Sequence, residues 1–428
     1  MKFAVHTLGC KVNQYETQAI ETLLRQRGHS AVEEGEKADL IIINTCAVTA
    51  ESGRKSRQAI RRMQNDHPGA LTAVCGCFSQ LSPEDVKGLG ADIVYGSGDK
   101  LQFVEDLEKC SQVMNIDNPF RRKTFEELPA GAMDGRTRAM LKIQDGCANF
   151  CTYCVIPYTR GRVLSLPISA AVSQAMALAA DGFAELVLTG IEVASYGKDL
   201  RNGDDLAAVV CAIGRAVPQM RLRLGSLEPT VITEDFCQKL SQLGNVCRHF
   251  HLSLQSGCDA TLKAMNRKYD TATFYEKTQL LRKYFTGCGL TADLITGFPG
   301  ETEENQQETL AFIEKCGFSS MHIFPYSPRP GTKAADMPGQ LSKAVKSARA
   351  AQAQKIADKM ERDFLASQVG EILPVVFETA HDGCTRGYSD NYCEVEVQDN
   401  VPTGTVMNVK ILQAGTKILL GEAVYDLT

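Results

Sequence analysis

Several features are missing from this sequence, and each absence narrows what the chain does. Its 428 residues contain no apolar run of about 18, the length a membrane-spanning helix needs. The opening Met1-Lys2-Phe3-Ala4-Val5-His6 lacks the apolar core of a secretory leader and reads as a short strand, so a cytoplasmic location and no membrane partner are expected. Excess positive charge is also missing: 46 Lys and Arg face 51 Asp and Glu, a net charge of −5. A nucleic-acid partner would therefore have to meet locally basic surface. The 44% hydrophobic and 23% charged composition is ordinarily globular, and the length suits two or three domains.

Cysteine, by contrast, is abundant, with 16 residues. Disulfide frameworks belong to short secreted chains, so clustered cysteines here point to metal binding or catalysis. Scattered ones point to core packing, which is the expectation for Cys110, Cys211, Cys237, Cys247, Cys288 and Cys316.

In residues 1–112, short β-branched runs at 3–8, 40–44, 71–74 and 93–95 alternate with helical stretches at 14–26 and 52–64. This alternation predicts a flavodoxin-like parallel sheet covered by helices, with ligands at the carboxyl ends of its strands. Cys10, Cys46 and Cys77 follow three of those ends. Together they would form a three-cysteine site with an open position; separately they would be three buried thiols. Cys75 falls inside its strand, which favours Cys77. A polar connector follows at 111–135 (Asn118-Pro119, Pro129, Gly131, Gly135). Its Arg121, Arg122, Lys123, Arg136 and, just beyond, Arg138 suit either a solvated linker or a basic contact.

Residues 133–365 repeat a strand–helix unit six times, with strands at 140–144, 185–188, 221–224, 249–254, 291–296 and 321–324. Six units predict an open, partial (β/α)6 barrel with function at the strand carboxyl ends. Those ends carry Asp145-Gly146-Cys147, Thr189-Gly190, Glu228, Gln255-Ser256-Gly257, Gly297-Phe298-Pro299-Gly300-Glu301 and Pro325-Tyr326. A helix over 342–365 closes the unit, and its Lys343, Lys346, Arg349, Lys355 and Lys359 read as a solvated face. Residues 366–428, with strands at 372–378, 392–397, 406–413 and 418–424, predict a small antiparallel β-barrel of the kind many nucleic-acid modules use.

The sharpest chemical signal is Cys147-Ala148-Asn149-Phe150-Cys151-Thr152-Tyr153-Cys154, a C-x3-C-x2-C loop directly after a strand. Three thiolates from one loop can hold three irons of a 4Fe-4S cube and leave the fourth open. S-adenosylmethionine can chelate that open iron, and reduction then yields a 5′-deoxyadenosyl radical. Zinc, which usually takes four closed ligands, and chance spacing are the competing readings. Tyr153, Thr189, Gly190, Glu228 and Gln255 are candidate contacts to S-adenosylmethionine, with bracing of the barrel mouth as the alternative for Glu228 and Gln255. Thr189 and Gly190 would leave room for its methionine end. Asp293, inside the fifth strand, reads equally as structural, and Arg267 as a carboxylate partner or a helix-surface residue.

The loop resembles the radical S-adenosylmethionine signature. Thr7-Leu8-Gly9-Cys10-Lys11-Val12-Asn13-Gln14-Tyr15-Glu16, Asn44-Thr45-Cys46 and Gly76-Cys77 are similar to the N-terminal domain of methylthiotransferases. Cys154-Val155-Ile156-Pro157, Arg160-Gly161, Gln255-Ser256-Gly257, Met265-Asn266-Arg267-Lys268-Tyr269 and Tyr326-Ser327-Pro328-Arg329-Pro330-Gly331-Thr332 match as well, and the last barrel looks like a TRAM domain. The resemblance implies two 4Fe-4S clusters: Cys147, Cys151 and Cys154 for the radical-generating one, and Cys10, Cys46 and Cys77 for an auxiliary one carrying the donated sulfur. One S-adenosylmethionine methylates that sulfur, and a second yields the radical that activates the substrate carbon. A low-potential electron donor and a sulfur donor are implied partners.

The resemblance further implies a substrate. The wording Gly9-Cys10-Lys11-Val12-Asn13-Gln14-Tyr15-Glu16, with His322-Ile323-Phe324-Pro325-Tyr326-Ser327 and Asp390-Asn391-Tyr392, resembles the bacterial branch acting at C2 of N6-threonylcarbamoyladenosine beside the tRNA anticodon. The isopentenyladenosine branch usually reads Gln-Met at Lys11-Val12, and the branch acting on a ribosomal-protein aspartate reads Pro-Lys. Two departures stand out. Leu164 and Leu166 follow Arg162 where arginines are usual, and residues 366–428 hold three Lys or Arg (Arg386, Lys410, Lys417) against nine Asp or Glu. An acidic barrel is a poor phosphate grip and would suit a basic protein substrate. An iron–sulfur electron-transfer or sensor protein is the alternative of another class; it would release no 5′-deoxyadenosine.

Overall fold

The computed structural model describes residues 1–110, 112–130 and 137–425. Gly131, Gly135 and Arg136 of the connector, and the expected domain start at 133, lie outside the described residues.

The N-terminal strands Lys2–Thr7, Leu40–Thr45, Leu71–Gly76 and Ile93–Tyr95 form the centre of a six-stranded, wholly parallel sheet. Its order, counting strands along the chain, is 2-1-3-4-5-6, the flavodoxin-like winding with an added edge strand. Ser30–Ala31 and Val113–Asn115 are the two short edges. The second of these four strands, Leu40–Thr45, is buried along its whole length, as a strand covered on both faces must be. Helix Lys11–Gln26 has Cys10 as its N-cap and starts three residues earlier than its apolar period suggested. Helix Ala50–Asp66 is capped by Thr49, whose side chain accepts the Ser52 N–H at 3.0 Å.

All six anticipated strands of the second unit are present: Arg138–Asp145, Glu185–Gly190, Arg221–Leu224, His249–Gln255, Gly289–Thr296 and Ser320–Pro325. They pair in parallel as two sheets joined by isolated bridges, Leu222 with Val246 and Leu227 with Leu252, which makes an open partial barrel. A two-residue strand, Leu164–Ser165, adds an antiparallel edge where arginines were expected. Cys211, Cys237, Cys288 and Cys316 are core residues here, as their scattered placement suggested. Cys110 is not: it ends the helix Lys100–Lys109 at φ +49°, beyond Leu107, and is exposed. Cys247 is buried, but against Glu185 (3.7 Å) rather than in a purely apolar setting.

Helix Lys343–Ser367 exposes Lys343, Lys355 and Lys359 as a solvated basic face would, but Lys346 and Arg349 correct that expectation. Arg349 is buried and pairs with Glu301 at 2.7 Å, while Lys346 donates to the Tyr326 carbonyl at 3.1 Å. These two cations hold the ends of the fifth and sixth barrel strands.

The C-terminal unit is a closed barrel of five strands, not four. The additional strand, Cys384–Ser389, runs through polar residues, and its Gly387 lies so tightly on the Val376 carbonyl that a side chain would not fit. One pairing, Glu394–Val397 with Leu419–Ala423, is parallel, so the barrel is not purely antiparallel. An ion network fixes it to the core. Glu185 pairs with Arg221 and Arg223, which donate onward to the carbonyls of Pro374 (2.7 Å), Ser389 (3.0 Å) and Asp390 (3.1 Å). Arg248 pairs with Asp390 at 2.6 Å, and Arg138 with Glu378 at 2.5 Å.

Candidate active site

Cys10, Cys46 and Cys77 sit just past the carboxyl ends of three strands that are neighbours in the sheet. Two glycines let their loops close up. Gly9 has φ +102°, and a Cβ there would lie 2.9 Å from both Cβ and Sγ of Cys46. Gly76 has φ +107° and rests against Asn44 and Thr45. Asn13 ties the first two loops, donating to the carbonyls of Leu8 (2.8 Å) and Thr45 (3.0 Å). Cys10 and Cys46 both feel the charge of Cys77 and of Arg160, and burial pushes both thiols up from their ordinary range. Cys75 faces the opposite way, into the core with Phe3, Leu40 and Phe103.

Cys147, Cys151 and Cys154 are half-buried in one loop over the barrel mouth. The loop is pinned by Cys147 N–H to the Gly161 carbonyl (3.0 Å) and by Thr152 to the carbonyls of Met265 (3.1 Å) and Ala264 (2.9 Å). Two donors point at its sulfurs: Ile156 N–H at 3.4 Å from Cys154 Sγ, and Arg267 Nη1 at 3.2 Å from Cys151 Sγ. Burial pushes the Cys147 and Cys154 thiols up to about 12. Cys151 and Cys154 open onto a cavity of about 470 Å³, rimmed by Phe150, Tyr158, Lys263 and Lys333.

Among the described residues, no three Cys, His, Asp or Glu side chains converge tightly enough to share one metal ion. Ligands of a cube differ in this respect, because each thiolate takes a different iron and the sulfurs stand apart. Two sets of three thiols, with N–H groups directed at sulfur, are a donor set that fits 4Fe-4S clusters.

The candidate cofactor contacts surround the barrel mouth. Glu228 is buried; its Oε1 lies 3.3 Å from Arg267 yet accepts no hydrogen bond. Gln255 takes a left-handed φ of +64° at a register shift in its strand. Tyr153 packs edge-on to Phe298. Thr189 is buried. Gly190 does not open space as expected: a Cβ there would meet the Gln144 carbonyl, Gln144 Oε1 and Val193, each at 2.9 Å. Its lack of a side chain serves the packing of Gln144.

Sequence reasoning missed three groups. Arg160 is fully buried and bridges the two triads: it pairs with Glu16, donates to Asn13 at 2.7 Å, and lies 3.5 Å from Asp145. Lys142 joins the same network at 2.6 Å from Asp145 and 3.0 Å from Glu16. These cations hold the Glu16 carboxyl well below its usual range against the desolvation that opposes them. Glu192, which accepts from Asn149 at 3.1 Å, is pushed up to about 7 by burial and by the nearby charge of Glu228. Arg267, read as ambiguous, links Glu228 to Cys151.

A second, larger cavity of about 730 Å³ brings all three units together. Its walls include Cys10 and Lys11, the strand residues His249, His251, Asp293 and His322, and Tyr388 and Tyr392 of the C-terminal barrel. Tyr392 stacks on His249 (4.4 Å between centroids) and on Tyr388 (5.1 Å). Asp293 is part of this wall and pairs with His251 at 3.2 Å.

Comparison with known proteins accounts for most of the chain. Residues 2–96 match the family described as Uncharacterized protein family UPF0004, and residues 141–313 match the Radical SAM superfamily. The chain is 37% identical over 96% of its length to the Threonylcarbamoyladenosine tRNA methylthiotransferase MtaB of Bacillus subtilis, covering 94% of that protein. It belongs to the radical S-adenosylmethionine methylthiotransferase family. Other members include the MtaB of Thermotoga maritima, 34% identical over 92% of this chain and 91% of that protein. The tRNA-2-methylthio-N(6)-dimethylallyladenosine synthase of Alkaliphilus oremlandii is 31% identical over 99% and 93%. The radical S-adenosylmethionine methyltransferase TsrM of Kitasatospora setae shares the fold, with a TM-score of 0.57 at 15% identity over 78% of this chain and 77% of that one. The methylthiotransferase is a transferase enzyme whose cofactors are S-adenosylmethionine and 4Fe-4S clusters. Among its described residues no helix is long and apolar enough to cross a membrane.

Proposed function

We propose that this chain transfers a methylthio group to C2 of N6-threonylcarbamoyladenosine in the anticodon arm of tRNA. The observation that carries this reading is the 730 Å³ cavity, which has Cys10 on one wall and the His249–Tyr392–Tyr388 stack on another. It is the size of a small-molecule site, and its ring faces suit an extruded nucleobase. The naming of four MtaB relatives at 32–37% identity supports the threonylcarbamoyl branch.

Cys147, Cys151 and Cys154 are assigned to the radical-generating cluster and Cys10, Cys46 and Cys77 to the auxiliary one, with residues 1–112, 133–365 and 366–428 as the three domains. Bound there, the clusters and S-adenosylmethionine supply an electron, a carbon-centred radical and the sulfur to be transferred. The chain's own part is placement. Arg267 donates to Cys151 and neighbours Glu228, whose buried Oε1 lies 3.3 Å from Arg267, accepts no hydrogen bond, and is assigned as an acceptor for a cationic amine or a ribose hydroxyl. Tyr153, Thr189, Gln255 and the Gly190 backbone complete that contact set.

RNA binding is supported by a surface that composition concealed. Helix Ala50–Asp66, which begins four residues after Cys46, exposes Arg54, Lys55, Gln58, Arg61 and Arg62 along one face, with Arg54 and Arg62 paired to the exposed Glu51 and Asp66 and Lys55 and Arg61 between them. That face suits phosphates. The acidic terminal barrel then contributes rings rather than charge. An electron donor of low potential and a sulfur donor remain required partners, and the cytoplasm is the expected compartment.

The test is mass spectrometry of tRNA nucleosides from cells lacking the gene, with and without its restoration. Loss and return of 2-methylthio-N6-threonylcarbamoyladenosine, with the isopentenyl nucleoside unchanged, is the expected result. A change confined to the isopentenyl nucleoside would move the chain to the other branch, and no change in either would end the tRNA reading.

A further inference from the structure

The threonylcarbamoyl group carries a carboxylate that an isopentenyl group lacks. Its ureido N–H closes onto N1 of the adenine, which places the threonyl acid along the same edge as C2. A site that delivers sulfur to C2 therefore meets this acid close to the sulfur donor, and burying it requires a cation.

The cations around the 730 Å³ cavity are almost all committed. Arg221 and Arg223 are held by Glu185 and by barrel carbonyls. Arg138 is held by Glu378 at 2.5 Å, and Lys417 faces Glu361 at 3.9 Å. Lys11 differs. It lines the cavity beside Cys10, its side chain is accessible, and it makes no hydrogen bond or ion pair among the described residues. Three carboxylates share the wall: Asp293 pairs with His251 at 3.2 Å, Glu361 faces Lys417, and Glu394 completes the set; none of them forms an ion pair with Lys11 among the described residues, which leaves Lys11 to an incoming acid.

We propose that Lys11 is the specificity residue that receives the carboxylate of the threonylcarbamoyl group. This rests on the substrate reading above and deepens it: the residue next to a sulfur-site cysteine also reads the substituent that defines the substrate. Lys11 is a binding residue in this scheme and moves no proton.

The experiment measures affinity of the reconstituted holoenzyme for anticodon stem-loop RNAs carrying either threonylcarbamoyladenosine or its methyl ester, and in parallel scores methylthio transfer to the acid. Wild-type protein should bind the acid about tenfold more tightly than the ester, the size of one charge-assisted hydrogen bond. Lys11→Met should bind acid and ester equally, and Lys11→Arg should keep most of the preference. A loss of structure would weaken both RNAs alike and leave the ratio intact, so the ratio isolates the contact. Retention of the tenfold preference by Lys11→Met, or its absence in wild-type protein that nonetheless modifies the acid, overturns the proposal and leaves the substrate reading standing. Failure of wild-type protein to modify the acid overturns both.

Discussion

The two cysteine triads proposed to hold clusters are assembled by opposite routes. Cys147, Cys151 and Cys154 come from eight consecutive residues and owe their spacing to one loop, whereas Cys10, Cys46 and Cys77 come from three loops that only the parallel sheet brings together. The first site is local and needs the barrel for its surroundings. The second exists only when the sheet has formed. The difference teaches that one triad is encoded as a motif and the other as a topology, and Arg160 is where the two meet, buried between Glu16, Asn13 and Asp145.

The largest expected effect separates their roles. Replacing Cys147, Cys151 and Cys154 together by Ala should remove about four irons per chain and abolish release of 5′-deoxyadenosine by the reduced protein. The corresponding replacement of Cys10, Cys46 and Cys77 should also cost about four irons but leave that release in place while ending methylthio transfer. Iron analysis and chromatography read both outcomes; loss of 5′-deoxyadenosine from the second variant alone would invert the assignment.

Arg160→Met should blur the comparison, since it leaves the buried Glu16 carboxylate and Asp145 to share Lys142 as their remaining ion-pair partner. A destabilisation of about 3–5 kcal/mol in denaturant unfolding is expected, with Arg160→Met combined with Glu16→Gln recovering a large part of it. No recovery in the double variant would mean that packing, not charge, dominates there. A sharper discrimination comes from the neighbouring thiols. Cys77→Ala should lose the iron of the N-terminal site, while Cys75→Ala should keep it and cost about 1–2 kcal/mol of stability for a small core cavity. Iron lost by both would mean that the strand is out of register.

On the RNA side, Arg61→Glu with Arg62→Glu should weaken stem-loop binding and lower the salt dependence of log Kd by roughly two. An unchanged slope would remove helix Ala50–Asp66 from the interface. The smallest effect concerns Glu192. Its carboxyl is raised to about 7, so the folded state holds the proton more tightly than the unfolded chain, and stability falls as pH rises from the ordinary carboxyl range through 7. Glu192→Gln should remove of order 1 kcal/mol of that fall in metal-free protein, seen as a flatter stability profile between pH 5 and 8 by chemical unfolding.

Legibility in the sequence followed the same division. The loop triad is visible as a motif and the dispersed triad as three strand-end cysteines, and the structure sets those three strands side by side. Choosing Cys77 over Cys75 depended on the strand's face, and the structure turns Cys75 to the core. What escaped was contact between distant segments. Arg160 and Glu16 are 144 positions apart, and no local pattern marks them as partners. Lys11 and Tyr392 lie in segments that carry the resemblance, but that they line one cavity shows only once the terminal barrel is seated against the core. Strand Cys384–Ser389 was hidden by its polar residues and by Gly387, whose glycine serves a close strand approach rather than a turn. The acidic count of the last domain averages over its whole surface, whereas the part that faces the cavity is Tyr388, Asn391, Tyr392, Cys393, Glu394 and Lys417, so the count alone does not identify a partner.

The two cavities also settle a matter of traffic. The smaller one opens at Cys151 and Cys154, the larger at Cys10, and they share no lining residue. A bulky guest over one doorway leaves the other clear. Either opening can therefore be narrowed by substitution without touching a residue of the other, and the two can be blocked one at a time.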